Sequence, residues 1–202
     1  VAMARLTATD HSTHCPFKGD ASYFTISVGS KTAENAVWSY ELPFDECAGL
    51  KDYLAFYWSK MDQWFEEDEE VFVHARSPKV RVDILDSSRP VQVELGGITV
   101  ADTTRARILF ETGLPTRYYI PRDDVIGELL PSDSQSDCPY KGRASYHHVR
   151  VGAKTFEDIV WFYRDPVHES ARIKDYLCFY NEKVDAVYID GVAEKKPKTK
   201  WS

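Results

Sequence analysis

The sequence predicts a mainly β protein, built from tandem small units of short antiparallel strands with a few short helices. Its 202 residues include 12 Tyr, 10 Phe and 5 Trp, and aromatic residues favour strands over helices. Apolar and polar residues alternate in short segments between turn residues, which is typical of half-buried strands. In addition, the motif CPYKGRASY at residues 138–146 has a near copy, CPFKGDASY, at residues 15–23.

The motif belongs to a longer internal repeat. Cys15 and Cys138 lie 123 residues apart, and matches at this offset continue without a gap to Asp62 and Asp185. We therefore predict that the chain contains two homologous repeats that share one architecture.

The predicted boundaries are residues 1–88 for the first repeat and residues 89–202 for the second. Residues 1–14 resemble the approach to the second motif, whereas residues 90–124 would have their counterpart before residue 1. We therefore expect only the second repeat to be complete. The missing segment would precede residue 1 or come from another chain, so a homo-oligomer is an open alternative.

The first repeat reads as strands around one helical turn. Residues 23–28 alternate, residues 36–40 form the returning strand after a turn at Gly29, and residues 53–58 form an aromatic strand. Asp45 can cap a short helical turn between the last two of these strands.

An acidic segment at residues 66–70 follows the first repeat's aromatic strand. Adjacent carboxylates without a glycine turn or alternating ligand spacing favour a solvated connector over a cation site. Residues 71–76 and 80–85 are predicted as short strands that lead to the boundary between the repeats.

The second repeat begins with two predicted hairpins. Val91–Leu95 and residues 98–101 flank Gly96-Gly97, and Arg107–Glu111 and Arg117–Ile120 flank a Thr-Gly-Leu-Pro turn. A short helix is predicted from Pro121, to end before Pro131.

Composition and charge limit the classes of function. The apolar share of 43 % and charged share of 28 % are ordinary for a soluble globular protein. A net charge of −7 without a basic stripe argues against nucleic acid as a partner. No apolar run approaches the roughly 18 residues of a membrane span. The four cysteines form no disulfide pattern, which favours a reducing, cytoplasmic location.

Several motifs together resemble one protein family. FETGLPTRYY at residues 110–119, Pro-Arg-x-Asp-Val at residues 121–125, the repeated Cys-Pro-aromatic-Lys-Gly motif and Val-Trp-x-Tyr are similar to those of the DUF427 family, whose function is unknown. The resemblance implies a small β-tent-like unit, similar in topology to methionine sulfoxide reductase B and the cereblon ligand domain. Such relatives often hold zinc through paired Cys-x-x-Cys motifs. This sequence has no such pair, so we expect no metal and no other cofactor.

Lys141 and Cys138 are candidate catalytic residues, with Lys18 and Cys15 as their first-repeat equivalents. Lys141 lies between an aromatic residue and Gly142, which limits the directions in which its amine can point. An amine beside a thiol can lower the pKa of the thiol and so activate it. The alternatives are a lysine paired with a carboxylate and a cysteine that packs as a small apolar residue.

Glu111 and Tyr119 complete the candidate catalytic set. Glu111 can act as a general base, although the sequence favours a buried ion pair with Arg105 or Arg122. Tyr118 and Tyr119 alternate, so one ring is expected in the core and the other at a surface or groove. Tyr118 and Arg122 are predicted to bind ligand.

An aromatic face is the last candidate feature. Tyr146, Trp161 and Tyr163 should point to the same side of a sheet, and the first repeat has matching residues. These first-repeat residues are Tyr23, Trp38 and Tyr40. Core packing is one explanation, and the wall of a small-molecule pocket is the other.

We therefore expect a protein that binds a small organic ligand in an aromatic and polar pocket of the complete repeat. If it is an enzyme, the chemistry would be cofactor-free acid–base catalysis. The alternative function is a non-enzymatic protein-interaction module built from two packed repeats.

Overall fold

The structure is a computed structural model that describes residues 5–66 and 69–202. It is mainly β, as predicted, and divides into an N-terminal unit, Val1–Glu70, and a C-terminal unit, Val71–Ser202. Two parts of the predicted first repeat lie outside the described residues. They are residues 1–4, which begin the segment that resembles the approach to the second motif, and Glu67 and Asp68 of the acidic segment. The predicted boundary between the two repeats, near residue 88, is a boundary between homologous segments and not between compact units, so it stays a prediction.

The N-terminal unit is an antiparallel sheet whose strands follow chain order, β1-β2-β3-β4. Its strands are β1 (Leu6–Cys15), β2 (Gly19–Val28), β3 (Lys31–Ser39), β4 (Ala55–Phe56) and the pair β5 (Phe65–Glu66) and β6 (Glu69–Glu70). The 3₁₀ helices are Asp45–Leu50 and Trp58–Lys60. The predicted helical turn is thus confirmed, but Asp45 does not cap it, because Phe44 occupies the N-cap position and no side chain caps the helix. The aromatic strand is confined to β4.

The C-terminal unit contains two sheets. Its strands are β7 (Val82–Asp86), β8 (Val91–Leu95), β9 (Ile98–Thr103), β10 (Arg107–Glu111), β11 (Arg117–Ile120), β12 (Glu128–Cys138), β13 (Gly142–Val151), β14 (Lys154–Tyr163), β15 (Leu177–Phe179), β16 (Ala186–Ile189) and β17 (Val192–Ala193). The larger sheet has the order β12-β13-β14-β15-β11-β10-β7, and the smaller has the order β17-β16-β8-β9. The 3₁₀ helices are Arg122–Asp124 and His168–Ile173.

Both predicted hairpins of the second repeat are confirmed, because β8 pairs with β9 and β10 pairs with β11. The short helix predicted from Pro121 is also confirmed, because a 3₁₀ helix spans Arg122–Asp124 and ends before Pro131. One other expectation is wrong, because residues 71–76 form no strand. β12 runs through Pro131, which this edge strand tolerates at a register shift.

The larger sheet buries different residues on its two faces, because successive side chains of a strand point to opposite sides. One face packs on the smaller sheet through an apolar core that contains Tyr118, Ile120 and Phe162. The other face carries Tyr119, Trp161 and Tyr163 in a second cluster. This second face contains the candidate site.

The two units pair their strands in the same register at matched positions. Tyr23 pairs with Trp38 in the N-terminal unit, and Tyr146 pairs with Trp161 in the C-terminal unit. The irregularity of β1 after Ala8 likewise recurs in β12 after Pro131. This agreement is what two homologous repeats would produce, and the common ancestry remains our inference.

Gly142, the glycine of the second copy of the motif, should not tolerate a side chain. Its φ is +94°, and an added Cβ would lie 3.3 Å from the carbonyl oxygen of Asp165. Gly142→Ala is therefore expected to lower the free energy of unfolding by at least about 2 kcal/mol, measured by urea denaturation.

Gly152→Ala is the control, because Gly152 has a φ of +58° and no heavy atom within 4 Å of an added Cβ. It should cost only about 1 kcal/mol. Equal losses for the two variants would show that the close approach at Gly142 has no structural importance.

Candidate functional site

The candidate site begins with a row of side chains across the larger sheet. Tyr146 pairs with Trp161, Trp161 pairs with Cys178, and Cys178 pairs with Tyr119 on the next strand. Paired residues point to the same face of a sheet, so the row places three aromatic side chains side by side. Arg117 lies two residues before Tyr119 on β11 and shares this face.

A cavity of about 730 Å³ lies on this row within the C-terminal unit. Its volume falls in the range of small-molecule sites. The walls are mostly aromatic, and polar side chains reach in from the sheet and from the turn between β12 and β13. The aromatic wall residues are Tyr119, Tyr140, Tyr146, Trp161, Tyr163, Tyr180 and Trp201, and the ionisable wall residues include Glu111, Arg117, Asp137, Cys138, Lys141 and Lys200.

Lys141 lies in the turn between β12 and β13 and forms a buried ion pair with Glu111 of β10. The side chains are only 10 % and 7 % exposed, respectively. The turn is held from both sides, because the Lys141 amide donates to the Cys138 carbonyl and its own carbonyl accepts from the amide of Val167. The ammonium group is thus fixed at the cavity wall.

A second buried ion pair joins Arg117 and Glu182 through two hydrogen bonds of 2.7 Å. The Thr199 hydroxyl donates to the same carboxylate at 2.8 Å. Burial opposes ionisation of Glu182, but the hydrogen bonds from Arg117 and Thr199 outweigh it and hold its pKa below the usual value. The guanidinium carbon lies 5.4 Å from the ring centre of Trp161 and 5.7 Å from that of Trp201.

Three tyrosines of the cavity, Tyr119, Tyr163 and Tyr180, remain protonated at neutral pH. Burial raises the pKa values of Tyr119, Tyr163 and Tyr180. The Tyr119 hydroxyl accepts a hydrogen bond from the Trp161 indole at 3.1 Å. Because a protonated phenol can donate as well as accept, these rings give the cavity neutral hydrogen-bonding groups beside its two ion pairs.

A protein-family model matches residues 1–67 and 83–190 of the chain, and its description is "Domain of unknown function (DUF427)". The chain belongs to the DUF427 family. No curated protein matches the sequence at a significant level.

In this DUF427 protein, seven of the nine candidate residues predicted in the second repeat lie in the cavity wall. They are Glu111, Tyr119, Cys138, Lys141, Tyr146, Trp161 and Tyr163. Tyr118 instead packs in the core on the opposite face of the sheet, and Arg122 contacts His147 and Phe162. The carboxylate of Glu111 pairs with Lys141, whereas Arg105, one of its predicted partners, pairs with Asp124.

The first-repeat candidates of the DUF427 chain form a partial copy of this arrangement. Trp38 and Tyr23 both lie against Tyr57, with ring centres 4.6 and 6.4 Å apart. Burial, followed by the nearby Cys15 thiol, raises the pKa of Tyr40. Lys18 is exposed, and its ammonium lies 5.8 Å from the ring centre of Tyr40. Within residues 5–66, no carboxylate forms an ion pair with Lys18.

Sequence reasoning assigned no role to four residues of the site. Arg117 stands in the family motif and Tyr180 matches Tyr57 at the repeat offset, so both carried a signal. Glu182 and Trp201 carried none, because neither lies in a motif or has a matching residue in the other repeat.

Other classes of site receive no support from the described residues. Residues 5–66 and 69–202 contain no cluster of three or more His, Cys, Asp and Glu side chains that is placed to hold a metal ion. In the same part of the chain, no helix has the length and apolarity to cross a membrane.

Glu182 should make stability depend on pH in a defined direction. Its pKa is lowered by folding, so its contribution is present above the unfolded value of 4.5 and is lost as the pH falls through the folded pKa. Glu182→Gln leaves Arg117 without its counter-ion and should cost about 3 kcal/mol at pH 7. Urea denaturation should show that the difference between the two proteins narrows below pH 4.5.

The exposed Glu157 supplies the control. Glu157→Gln should follow the wild-type stability at every pH. A difference between wild type and Glu182→Gln that stays constant from pH 7 to pH 3 would contradict the ionised pair.

Proposed function

We propose that the cavity of the C-terminal unit binds a small, planar, uncharged organic ligand. The observation that carries this proposal is the combination of aromatic walls with two buried ion pairs that are each closed within the protein. Stacking of rings supplies affinity, and a few fixed polar groups supply orientation, as in other small-molecule sites.

The buried charges of the wall support an uncharged ligand. Lys141 is paired with Glu111, and Arg117 is paired with Glu182. An ionised ligand would have to compete with one of these internal partners and leave a buried charge without its counter-ion, which costs several kcal/mol. A neutral ligand can accept or donate hydrogen bonds at the edges of the pairs without separating them.

The same pair supports cofactor-free acid–base chemistry as the finer form of this proposal. Lys141 presents an ammonium that can donate a proton, and Glu111 presents a carboxylate that can accept one. Tyr119 is held protonated, and its fully buried side chain accepts a hydrogen bond from the Trp161 indole. Cys138 lies in the same wall as a free thiol.

Fluorescence and thermal-shift titrations would test the ligand class. Indole, nicotinamide and uracil serve as uncharged planar probes, and benzoate and benzylammonium serve as charged probes. We expect the uncharged probes to change the tryptophan fluorescence and raise the Tm, because they stack without separating an ion pair. Equal or stronger effects of the charged probes would refute the proposed ligand class.

A matched pair of variants would locate the binding. The double variant Lys141→Met/Glu111→Gln removes both charges of one pair at nearly constant volume, so the fold should be retained. It should weaken binding of the best probe about tenfold, as expected for lost hydrogen bonds to charged groups. Lys18→Met changes the matching lysine of the N-terminal unit and should leave binding unchanged.

A patch of exposed apolar residues favours a second candidate function, self-association. Phe17, Leu42 and Phe44 are 78 %, 84 % and 43 % exposed. They surround the turn of the first motif, because the Phe44 amide donates to the Lys18 carbonyl and Leu42 and Phe44 lie against Gly19. Such clustered apolar exposure is typical of protein-interaction sites.

Sedimentation velocity would test this second function. We expect the wild type to self-associate as its concentration rises, and Phe17→Ser/Leu42→Ser to remain monomeric. Ile126→Ser is the control, because Ile126 is also exposed but belongs to the C-terminal unit. A wild type that is monomeric at every concentration would contradict self-association through this patch.

A further inference from the structure

The larger sheet carries a second group of polar side chains on the face opposite the cavity. It is centred on Phe162, whose side chain points away from the cavity because it lies between Trp161 and Tyr163 on β14. The His147 ring stacks on Phe162, with ring centres 4.8 Å apart and an interplanar angle of 9°. We call His147, Phe162 and the two arginines described next the arginine–histidine cluster.

Two guanidinium groups converge on the same ring. The guanidinium carbons of Arg122 and Arg164 lie 5.5 and 5.7 Å from the ring centre of Phe162. Both side chains are exposed. Among the ion pairs of residues 5–66 and 69–202, none includes either arginine, although most other arginines of the chain pair with a carboxylate.

The hydrogen bonds of His147 fix its tautomer. Its Nδ1 lies 3.2 Å from the carbonyl oxygen of Leu130, which can only accept, so Nδ1 carries the proton. Nε2 is then an acceptor, and the Arg122 guanidinium donates to it at 3.0 Å. His147 is therefore neutral in this arrangement, and the cluster carries the two positive charges of its arginines.

The charges that face His147 reinforce this conclusion. They are Arg122, Arg164 and the neighbouring imidazole of His148. Burial, followed by the positive charge of Arg122, holds the pKa of His147 below its usual value. The distances of the two guanidinium carbons from the Phe162 ring centre limit their separation to at most 11.2 Å. Two like charges at such a separation repel each other, so an anion that lies between them would be favoured.

We propose that the arginine–histidine cluster binds a phosphate monoester through Arg122 and Arg164. The number of charges on the cluster decides the chemical class of the ligand. A dianionic phosphate would neutralise both guanidinium groups, whereas a carboxylate would leave one guanidinium charge uncompensated. Phosphate oxygens also match the planar donor pattern of guanidinium groups. This site lies on the other face of the sheet and does not depend on the ligand proposed for the cavity.

The N-terminal unit provides an internal comparison. At the repeat offset of 123, the positions of His147, Phe162 and Arg164 hold Phe24, Ser39 and Glu41. The cluster is therefore specific to the C-terminal unit. Replacing a residue of the cluster by the residue at the matching position of the N-terminal unit should remove the site.

Two-dimensional NMR of the histidine ring resonances would test the site. Inorganic phosphate, glycerol 3-phosphate, sulfate and acetate are titrated in turn at constant ionic strength with chloride. We expect the three anions that can carry two charges to shift the His147 resonances saturably, and acetate to bind at least about tenfold more weakly. Stronger binding of glycerol 3-phosphate than of inorganic phosphate would identify an organic ester as the ligand.

Arg164→Glu introduces the residue found in the N-terminal unit and should weaken phosphate binding at least about tenfold. Lys196→Glu changes the net charge equally at an exposed position outside the cluster and should leave binding unchanged. The inference is overturned if acetate binds as tightly as phosphate, if Arg164→Glu binds like the wild type, or if Lys196→Glu weakens binding equally.

Discussion

The larger sheet of the C-terminal unit has two faces, and the side chains of every strand alternate between them. On one face, Tyr118 and Phe162 close an apolar core against the smaller sheet. On the other face, Tyr119, Trp161 and Tyr163 form one wall of the cavity. A shift of one residue in the register of β11 or β14 would exchange these two sets of rings. The position of the candidate site therefore follows from the register that also builds the core.

The two buried ion pairs have different consequences for stability and for recognition. Removing two charges from water costs about as much as their attraction returns, so a buried pair contributes little net stability. Breaking one pair is costly, because a single buried charge remains. Lys141–Glu111 and Arg117–Glu182 thus make the cavity wall intolerant of single changes while they keep polar groups at fixed positions among the rings. Such a wall is suited to orienting a ligand that does not itself carry a charge.

Local patterns predicted most of the fold and much of the cavity wall. Alternation placed Tyr146, Trp161 and Tyr163 on one face, and the repeated motif singled out Lys141. The adjacent Tyr118 and Tyr119 show the limit of this reasoning, because alternation separates the two rings but does not say which one faces the core. Local patterns could not predict the role of Glu182. It lies 65 residues after Arg117 in the sequence, and only the tertiary fold brings the two side chains together.

Comparison of matched positions in the two units separates the shared framework from what is particular to one unit. In the N-terminal unit the Tyr23 hydroxyl contacts Thr13 at 2.9 Å, and in the C-terminal unit the Tyr146 hydroxyl contacts Ser136 at 2.6 Å. This framework orients the aromatic rings in both units.

The charged partners, in contrast, belong to the C-terminal unit. Lys141 has Glu111, whereas Lys18 is exposed over Tyr40. Arg164 stands where the N-terminal unit has Glu41. If the units arose by duplication, the charge at the position of Arg164 and Glu41 has opposite signs in the two copies. The two proposed sites therefore depend on the two ion pairs and the arginine–histidine cluster of the C-terminal unit, and not on the aromatic framework that both units share.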